Sequence, residues 1–431
     1  TYKLTEQMNI NNLFIDFNSI VYINASNVIN DLNYILLQLI KLSHGEKIGK
    51  TTINNLGDLL GNYGFDINIG IGIGNGIGNG TDMSINKYLS ILTTDKVEEI
   101  ILNKVQKYLL NIVTNYVHSS ELKYIFIAID GVPSKSKIVE QKKRRYMGLF
   151  ITKINELIFE KHEKELKKND IRYFFEKNKI RWNIGSITPG SVFMHKLNVA
   201  IEAIIPTIRE RCSNLTDCIF SGSDQYGEGE KKIIDNMYKI GGTYEDDIIK
   251  WGIYSPDSDV TLLALLFYSH FNKNNFLITI IRHNQQKHYY NIININNLGD
   301  NLFKYVRKRL EWVTRQNIID DIVFLLTIFG NDFLPKIESF DVKNDFQNLI
   351  DYYIDVFKNN NNREYLVEGI SPNKKINENI FMKIIKKLKS VEHNNLENIY
   401  AANNYKDYAK LKKVLDVDQT NFTQKLNIFL Q

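Results

Sequence analysis

Residues 123–146 read KYIFIAIDGVPSKSKIVEQKKRRY, and this stretch decides the fold. Its opening residues are mostly aromatic or β-branched with no helical period, which predicts a buried strand. Asp130 follows the strand, and a Gly-Val-Pro turn leads from it into a helix rich in lysine and arginine. Open α/β sheets bind ligands at this carboxyl edge, so the stretch predicts one carboxylate beside a cationic helix face. The alternative is a buried strand followed by a solvated basic helix.

The cationic helix has one face with a defined spacing. Lys137, Gln141 and Arg144 stand at i, i+4 and i+7, so they share that face, and Arg145 lies beside it. A strand end with a carboxylate next to such a face suits a metal ion and a phosphate held side by side.

The composition is that of a globular protein with more than one unit. The chain has 431 residues, 43% hydrophobic and 12% aromatic, which is too long for one ordinary core. A net charge of +5 permits a polyanionic partner without requiring one. With only Cys212 and Cys218, neither a disulfide framework nor a zinc set can form. We therefore expect an intracellular protein without membrane attachment, with the cytoplasm favoured over the nucleus.

Carboxylates follow apolar elements at several other places. Residues 11–16 form an apolar run that ends in Asp16, and residues 248–254 form another that precedes two aspartates. A Gly-Glu-Gly-Glu run places two glutamates at a glycine-relieved helix start, where helix capping is the alternative to a binding role. A buried helix that stops at Gly330 delivers a further aspartate. Together with Asp130, the set is Asp16, Asp130, Glu228, Glu230, Asp257, Asp259 and Asp332.

Alternating strand-like and helix-like segments predict an α/β fold with a mostly parallel central sheet flanked by helices. Parallel strands end at one edge of a sheet, so these carboxylates can converge there. They cannot all stay ionised without a counter-charge, because like charges a few ångström apart raise each other's pKa. Oxygen ligands select Mg²⁺ or Mn²⁺ over zinc. Two such ions about 4 Å apart could clamp a phosphoryl displacement, which predicts a nuclease.

The domain organisation is predicted from changes in composition. Glycine occupies every even position from Gly70 to Gly80, a spacing that fits neither a dinucleotide fingerprint nor a phosphate loop. We expect a flexible Gly/Asn-rich insertion over about 44–94. Residues 1–340 are predicted to form the catalytic domain, and residues 341–431 a helical extension of it.

Six blocks of this chain, in this order, resemble the Xrn family of 5′→3′ exoribonucleases. They are LFIDFNSI at 13–20, DGVPSKSKIVEQKKRRY at 130–146, ITPG at 187–190, SG at 221–222 with GEGEK at 227–231, SPDSD at 255–259 and GNDFLP at 330–335. Together they span most of the predicted catalytic domain.

The resemblance implies a PIN-like 5′-nuclease fold and hydrolysis of single-stranded, 5′-monophosphorylated RNA to mononucleotides, as in RNA turnover. It implies that the seven carboxylates bind two Mg²⁺ ions, and that Tyr22 stacks on a base where the family usually has histidine. It also implies a small pocket for the terminal phosphate, formed by Lys137, Gln141, Arg144 and Arg145. We expect a monomer.

The chain departs from the family pattern at its ends and in one loop. The family's segment ahead of the first strand is short here and residue 1 is Thr, so we expect a fragment. Tyr226 stands where the family has proline before Gly-Glu-Gly-Glu. Two alternatives stay open. A flap-type nuclease is disfavoured by a pocket that reads a strand end, and an inactive RNA-binding homologue is disfavoured by the complete carboxylate set.

Overall fold

The computed structural model describes most of the chain. The described residues are 7–46, 48–65, 80–162, 170–244, 248–271, 275–284, 289–329, 342–358, 363–369 and 373–415, with positions 2, 3, 337, 339 and 340. The centre of the glycine tract and Asp332 were both singled out in the sequence and lie outside the described residues.

A seven-stranded sheet forms the centre of the fold. Its strands are β1 (Tyr2–Lys3), β2 (Asn12–Asp16), β3 (Tyr124–Ala128), β4 (Asp217–Ser221), β5 (Ile249–Tyr254), β6 (Phe276–Asn284) and β7 (Tyr289–Asn294). They lie in the order β1-β7-β6-β5-β2-β3-β4, and β2 to β6 are mutually parallel. β7 pairs antiparallel with β6 as the far arm of a hairpin. The predicted α/β class with a mostly parallel sheet is confirmed.

Helices join the parallel strands. They are α1 (Phe17–Ser43), α2 (Lys50–Asn62), α3 (Gly80–Ile91), α4 (Thr94–Asn111), α5 (Lys135–His162), α6 (Ile171–Asn178), α7 (Val192–Arg211), α8 (Gly229–Gly241) and α9 (Asp259–Phe271). α1 begins directly after Asp16, well before the apolar periodicity of its sequence becomes regular. α7 is capped by Ser191, whose hydroxyl accepts a hydrogen bond from the Met194 N–H at 3.1 Å.

Both faces of the sheet are buried, because successive strand side chains point to opposite faces. On one face, Leu13 and Ile15 of β2 join a core that contains the apolar stripes of α1 and α4. On the other face, Phe14 stacks on Trp251 with ring centroids 5.6 Å apart, and Trp251 packs against Phe267 of α9 at 5.2 Å. The helices thus cover the sheet and leave its carboxyl edge to hold polar groups.

The expected insertion over 44–94 contains packed structure on both sides of the glycine tract. Leu56 and Leu60 of α2 are buried, and so is Tyr88 of α3, whose hydroxyl donates to the Leu32 carbonyl at 2.9 Å. These apolar residues bury against α1, so α2 and α3 are ordered parts of the fold and do not fit the expectation of a flexible segment.

The chain forms two compact units. The first comprises Thr1–Phe267 and Lys273–Ile295, and the second comprises Tyr268–Asn272 and Asn296–Gln431. The second unit contains α10 (Ile295–Arg307), α11 (Arg315–Ile328), α12 (Val342–Lys358), β8 (Val367–Glu368), β9 (Lys375–Ile376) and α13 (Glu378–Leu415), where α10 starts at the boundary.

The helical unit therefore starts well before the expected boundary at residue 340. The reason is a core of its own, in which Ile318 and Ile322 of α11 pack with Ile350 of α12 and Ile380 of α13. None of the helices in the described ranges is both long and apolar enough to cross a membrane.

Candidate active site

Asp16 and Asp130 lie side by side at the carboxyl edge of the sheet. Asp16 ends β2, which pairs in register with β3, and Asp130 follows β3 closely. The Gly229 N–H donates to Asp130 Oδ1 at 2.7 Å, and a Cβ on Gly229 would lie 3.3 Å from Asp16 Oδ1. The start of α8, with Glu228 and Glu230 on either side of this glycine, is thus held against both strand ends.

A chain of hydrogen bonds connects Asp16 to the loop after β5. The Ser255 hydroxyl donates to Asp16 Oδ2 at 2.9 Å and accepts from the Asp257 N–H at 3.1 Å. Asp257 Oδ1 in turn accepts from the Asp259 N–H at 3.1 Å. The Arg282 guanidinium donates to the Asp257 carbonyl at 2.6 Å, which fixes this loop from β6.

The carboxylates at this edge lie within electrostatic range of one another. Burial raises the pKa of Asp16 to about 7, and the charges of Asp130 and Asp257 add to the rise. Burial likewise raises the pKa of Glu230 to about 8, and the charges of Asp257 and Asp259 add to it. The pKa of Asp130 is also raised, chiefly by burial. The edge therefore gathers more negative charge than its own cations neutralise.

The donor set at this edge fits a hard divalent cation in its chemistry. It consists of carboxylate oxygens, which Mg²⁺ and Mn²⁺ prefer. Within the described ranges, no group of three or more His, Cys, Asp or Glu side chains stands in a geometry that could hold a metal ion. Asp332, the remaining predicted ligand, lies outside those ranges. The excess charge supports a cation here, and the coordination itself stays a prediction.

The first turn of α5 brings Lys137, one residue of the predicted cationic face, to the same edge. Lys137 is buried, and its Nζ lies 3.0 Å from Glu228 Oε2. The Arg145 guanidinium reaches the Gln141 side-chain oxygen at 3.5 Å. The side chain of Arg144 is not among those described. Lys137 therefore lies at the carboxyl edge, and the phosphate pocket of Lys137, Gln141, Arg144 and Arg145 stays a prediction.

Tyr22 on α1 lies within electrostatic range of both Asp130 and Arg145. Its hydroxyl donates to the Ile187 carbonyl at 3.2 Å, while 39% of the residue stays exposed. Burial raises the pKa of Tyr22, Arg145 opposes the rise and Asp130 adds to it. The ring is anchored and partly exposed, and its stacking on a base stays a prediction.

Two residues that the sequence analysis gave no role hold the strand ends in place. Lys232 is buried, and its ammonium donates to the Ile129 and Gly222 carbonyls at 2.8 Å each, so it ties the end of β4 to the residue before Asp130. The Asn18 side chain accepts from the Asp130 N–H at 3.3 Å. Both follow a predicted ligand by two residues, which is the only signal that could have identified them.

The loops after β3 and β4 interlock through glycines. Gly131 N–H donates to the Gly227 carbonyl at 2.8 Å, and Gly227 N–H donates to the Val132 carbonyl at 3.2 Å. A Cβ on Gly131 would lie 1.5 Å from the Gln225 carbonyl oxygen, and Gly227 has a φ of +105°. Neither position accommodates a larger residue without moving a loop that carries a site carboxylate.

Two family descriptions match this chain. Residues 77–284 match the family described as the XRN 5′-3′ exonuclease N-terminus. Residues 313–428 match the family described as the Xrn1 helical domain. The two matches follow each other as the sheet unit and the helical unit do, and together they take in most of the chain.

Relatives of the chain carry nuclease names. A protein of Acanthamoeba polyphaga mimivirus, provisionally named a 5′-3′ exonuclease, is 29% identical over 285 residues, covering 62% of this chain and 44% of its own length. The 5′-3′ exoribonuclease 2 of Candida albicans is 29% identical over 268 residues, covering 55% of this chain and 27% of its own. Its Saccharomyces cerevisiae counterpart is 28% identical over 267 residues, covering 55% and 26%. The chain spans less than half the length of each.

Proposed function

Because this chain belongs to the Xrn family of 5′-3′ exonucleases, we propose that it is a 5′→3′ exoribonuclease that hydrolyses 5′-monophosphorylated RNA to mononucleotides. The observation that carries the proposal is the Lys137–Glu228 contact at the carboxyl edge. In this contact Lys137, the first of the predicted phosphate-binding residues of α5, lies against Glu228, one of the predicted metal ligands. A terminal phosphate held on α5 would therefore have its first phosphodiester bond next to the carboxylates.

The predicted phosphate-binding residues of α5 would hold the 5′ end of the RNA. Lys137 and Arg145 supply positive charge, and the side chain of Gln141 supplies a further hydrogen-bonding group. Arg144, at the predicted spacing, would complete the pocket. Charge-assisted hydrogen bonds to phosphate are stronger than those to a hydroxyl, so the pocket would favour a phosphorylated end. The ring of Tyr22 would stack on the first base and orient the strand.

The carboxylates would hold the divalent metal that the family's chemistry requires. Two Mg²⁺ ions on the predicted ligand set would supply charge stabilisation and a water whose pKa is lowered to about 7. Ser255, Asn18 and Lys232 would keep Asp16 and Asp130 in place for this task. Both cysteines of the chain are free and buried, which is in keeping with the intracellular, reducing compartment that we propose.

The test compares RNAs of one sequence that carry a 5′-monophosphate, a 5′-hydroxyl or a 5′-triphosphate, in Mg²⁺ and in EDTA. We expect rapid release of mononucleotides from the monophosphate alone and no release in EDTA. Arg145→Ala should reduce the preference for the monophosphate about tenfold, the scale of one charge-assisted hydrogen bond. Lys143→Ala, an exposed cation on the same helix, is the matched control and should leave the preference unchanged.

Three results would contradict the proposal. Equal rates on all three RNAs would remove the end-reading pocket. Cleavage of a branched DNA flap without degradation of linear RNA would favour the flap-type nuclease. Binding of RNA with no hydrolysis in Mg²⁺ or Mn²⁺ would favour an inactive homologue.

A further inference from the structure

Lys137 and Glu228 form a nearly buried ion pair at the carboxyl edge of the sheet. Lys137 Nζ lies 3.0 Å from Glu228 Oε2, and each side chain is only 11% exposed. The two residues come from different elements, since Lys137 lies in the first turn of α5 and Glu228 stands at the N-cap position of α8. A pair of this kind is a poor source of stability, because the cost of removing two charges from water offsets most of their attraction.

The carboxylate of Glu228 serves Lys137 and not its own helix. At an N-cap position, a side-chain oxygen commonly accepts a hydrogen bond from the first turn, yet Glu228 makes no such bond to the described first turn of α8. Helix capping, the alternative that the sequence left open, is thus not what this carboxylate does. Two other cations near the edge, Lys232 and Arg282, donate to backbone carbonyls, whereas Lys137 meets a carboxylate.

The charge of Lys137 also reaches two more of the predicted metal ligands. Burial raises the pKa of Asp130 and of Glu230, and the charge of Lys137 opposes both rises. One ammonium group therefore offsets part of the negative charge of three acids at this edge. A divalent cation on the same acids would take over that task, and its positive charge would repel the ammonium group.

The same ammonium group is the first of the predicted ligands of a terminal phosphate. We propose that the Lys137–Glu228 ion pair couples the two halves of the proposed site: a divalent cation draws Glu228 from the pair, a terminal phosphate draws Lys137 from it, and each event favours the other. Such coupling is reciprocal by thermodynamic necessity. It rests on the proposed function, since it takes Glu228 as a metal ligand and Lys137 as a phosphate ligand.

The coupling makes the 5′ end of the RNA a determinant of metal affinity. The ion pair has to be broken only once, so a chain that holds a 5′-phosphate on Lys137 binds the metal more tightly. An RNA with a 5′-hydroxyl leaves the pair in place, and Glu228 then binds a metal only in competition with Lys137. Selection of the 5′-monophosphate would thus act through the metal as well as through the affinity for RNA.

The first test measures Mg²⁺ binding to the full chain by isothermal titration calorimetry without RNA. Lys137→Met keeps most of the length of the side chain and removes its charge, so Mg²⁺ no longer competes with an ammonium group. We expect this variant to bind Mg²⁺ about tenfold more tightly than the parent, within the usual range of coupling between two sites. Lys135→Met is the matched control: Lys135 is an exposed cation at the start of the same helix, so its loss should leave the Mg²⁺ affinity unchanged.

The second test measures binding of 5′-AMP in EDTA. Glu228→Gln keeps the shape of the side chain and removes the charge that holds Lys137, so AMP should bind about tenfold more tightly than to the parent. Adenosine, which lacks the phosphate, should bind both proteins alike. The gain should disappear in the double variant with Lys137→Met, because a pairwise coupling requires both partners. Asp235→Asn changes an exposed acid of α8 and should leave the AMP affinity unchanged.

The outcomes separate this coupling from the proposed function. If Lys137→Met bound Mg²⁺ like the parent or more weakly, while the parent degraded 5′-monophosphorylated RNA, the coupling would be overturned and the nuclease function kept. A gain in AMP affinity that persisted in the double variant would overturn it too, since the effect would then come from the general field of the acids. If the parent neither bound Mg²⁺ nor hydrolysed RNA, both would be lost. Circular dichroism verifies the folding of each variant, and Glu228→Gln decides alone if Lys137→Met does not fold.

Discussion

Asp16 in the sheet unit and Asp321 in the helical unit are both buried carboxyl groups, and desolvation raises the pKa of each to about 7. Their surroundings differ in kind. Asp321 accepts hydrogen bonds from the Tyr353 hydroxyl at 2.6 Å and from the backbone N–H groups of Leu366 and Val367 at 3.1 and 2.7 Å. These donors are fixed by α12 and β8, so this carboxyl group has its partners built into the fold.

Asp16 instead has like charges for neighbours. The Ser255 hydroxyl and the Asn18 backbone lower its pKa, while Asp130 and Asp257 raise it. A buried acid with its own donors holds a structure together, whereas a buried acid among other acids requires a cation from outside. The two groups have similar pKa values for different reasons, and the kind of neighbour, more than the size of the shift, distinguishes a structural acid from a candidate ligand.

The largest effect that this comparison predicts is on stability. Asp321→Ala should lower the free energy of unfolding by roughly 3–9 kcal/mol, because three buried donors lose their acceptor and each costs about 1–3 kcal/mol. Urea denaturation of the full chain, followed by circular dichroism, measures the change. Asp355→Ala is the control, since Asp355 is half exposed and pairs with Lys387 at 3.5 Å. If the two variants were equally stable, Asp321 would have no structural role.

Asp257→Asn should give the opposite result, with activity lost and stability kept. We expect turnover of 5′-monophosphorylated RNA to fall at least about a hundredfold, the scale of losing one electrostatic stabiliser. The melting temperature should not fall, because the substitution removes like-charge repulsion. Asp235→Asn changes an exposed acid that pairs with Lys231 and should leave turnover intact. Near-normal turnover of Asp257→Asn would remove this residue from the proposed metal site.

The pH dependence of stability tests the protonation of Asp321. Its pKa is about 7 in the folded chain and 3.8 ordinarily, so folding favours the protonated form. Its contribution to stability is therefore complete below about pH 4 and is lost as the pH rises through about 7. Relative to Asp321→Asn, the parent should lose about 3 kcal/mol between pH 5 and pH 8. A constant difference between the two proteins across this range would show that Asp321 stays ionised.

The smallest expected effect on turnover is that of Lys232, which holds the strand ends beside the carboxylates and is not itself a predicted ligand. Lys232→Met keeps the length of the side chain but removes both hydrogen bonds to the strand ends. We expect turnover to fall roughly tenfold with KM almost unchanged, because the reacting geometry is lost and the RNA contacts are kept. Lys231→Met, at an exposed neighbour, should change neither quantity. A rise in KM alone would mean that Lys232 acts in substrate binding.

The sequence predicted the sheet and the position of its acids because the signals are local. A strand that ends in a carboxylate is visible at Asp16 and Asp130 within a few residues, and a parallel sheet brings such ends together. Asp321 gave no such signal. Its donors come from residues 32 to 46 positions further along the chain, so only the folded chain shows what surrounds it.

Contacts between residues far apart in the chain also explain why the domain boundary and the order of the insertion were predicted wrongly. The apolar faces of α10 and α11 are visible in the sequence, but periodicity does not tell whether a helix packs on the sheet or on other helices. The glycine tract likewise led to the prediction that all of residues 44–94 are flexible, although Leu56 and Leu60 of α2 are buried. Composition describes a segment as a whole, whereas packing depends on a few residues within it.

The hydrogen bond between Ser255 and Asp16 also has a consequence for synthesis of the chain. It joins residues 239 positions apart, and the edge between β2 and β6 stays open until β5 pairs with both. A nascent chain shorter than this would carry Asp16 and Asp130 without Ser255 and Asp257. Domains fold as units once their sequence has emerged from the ribosome. The charged edge would therefore be assembled only once Ser255 and Asp257 have emerged and β5 has paired with β2.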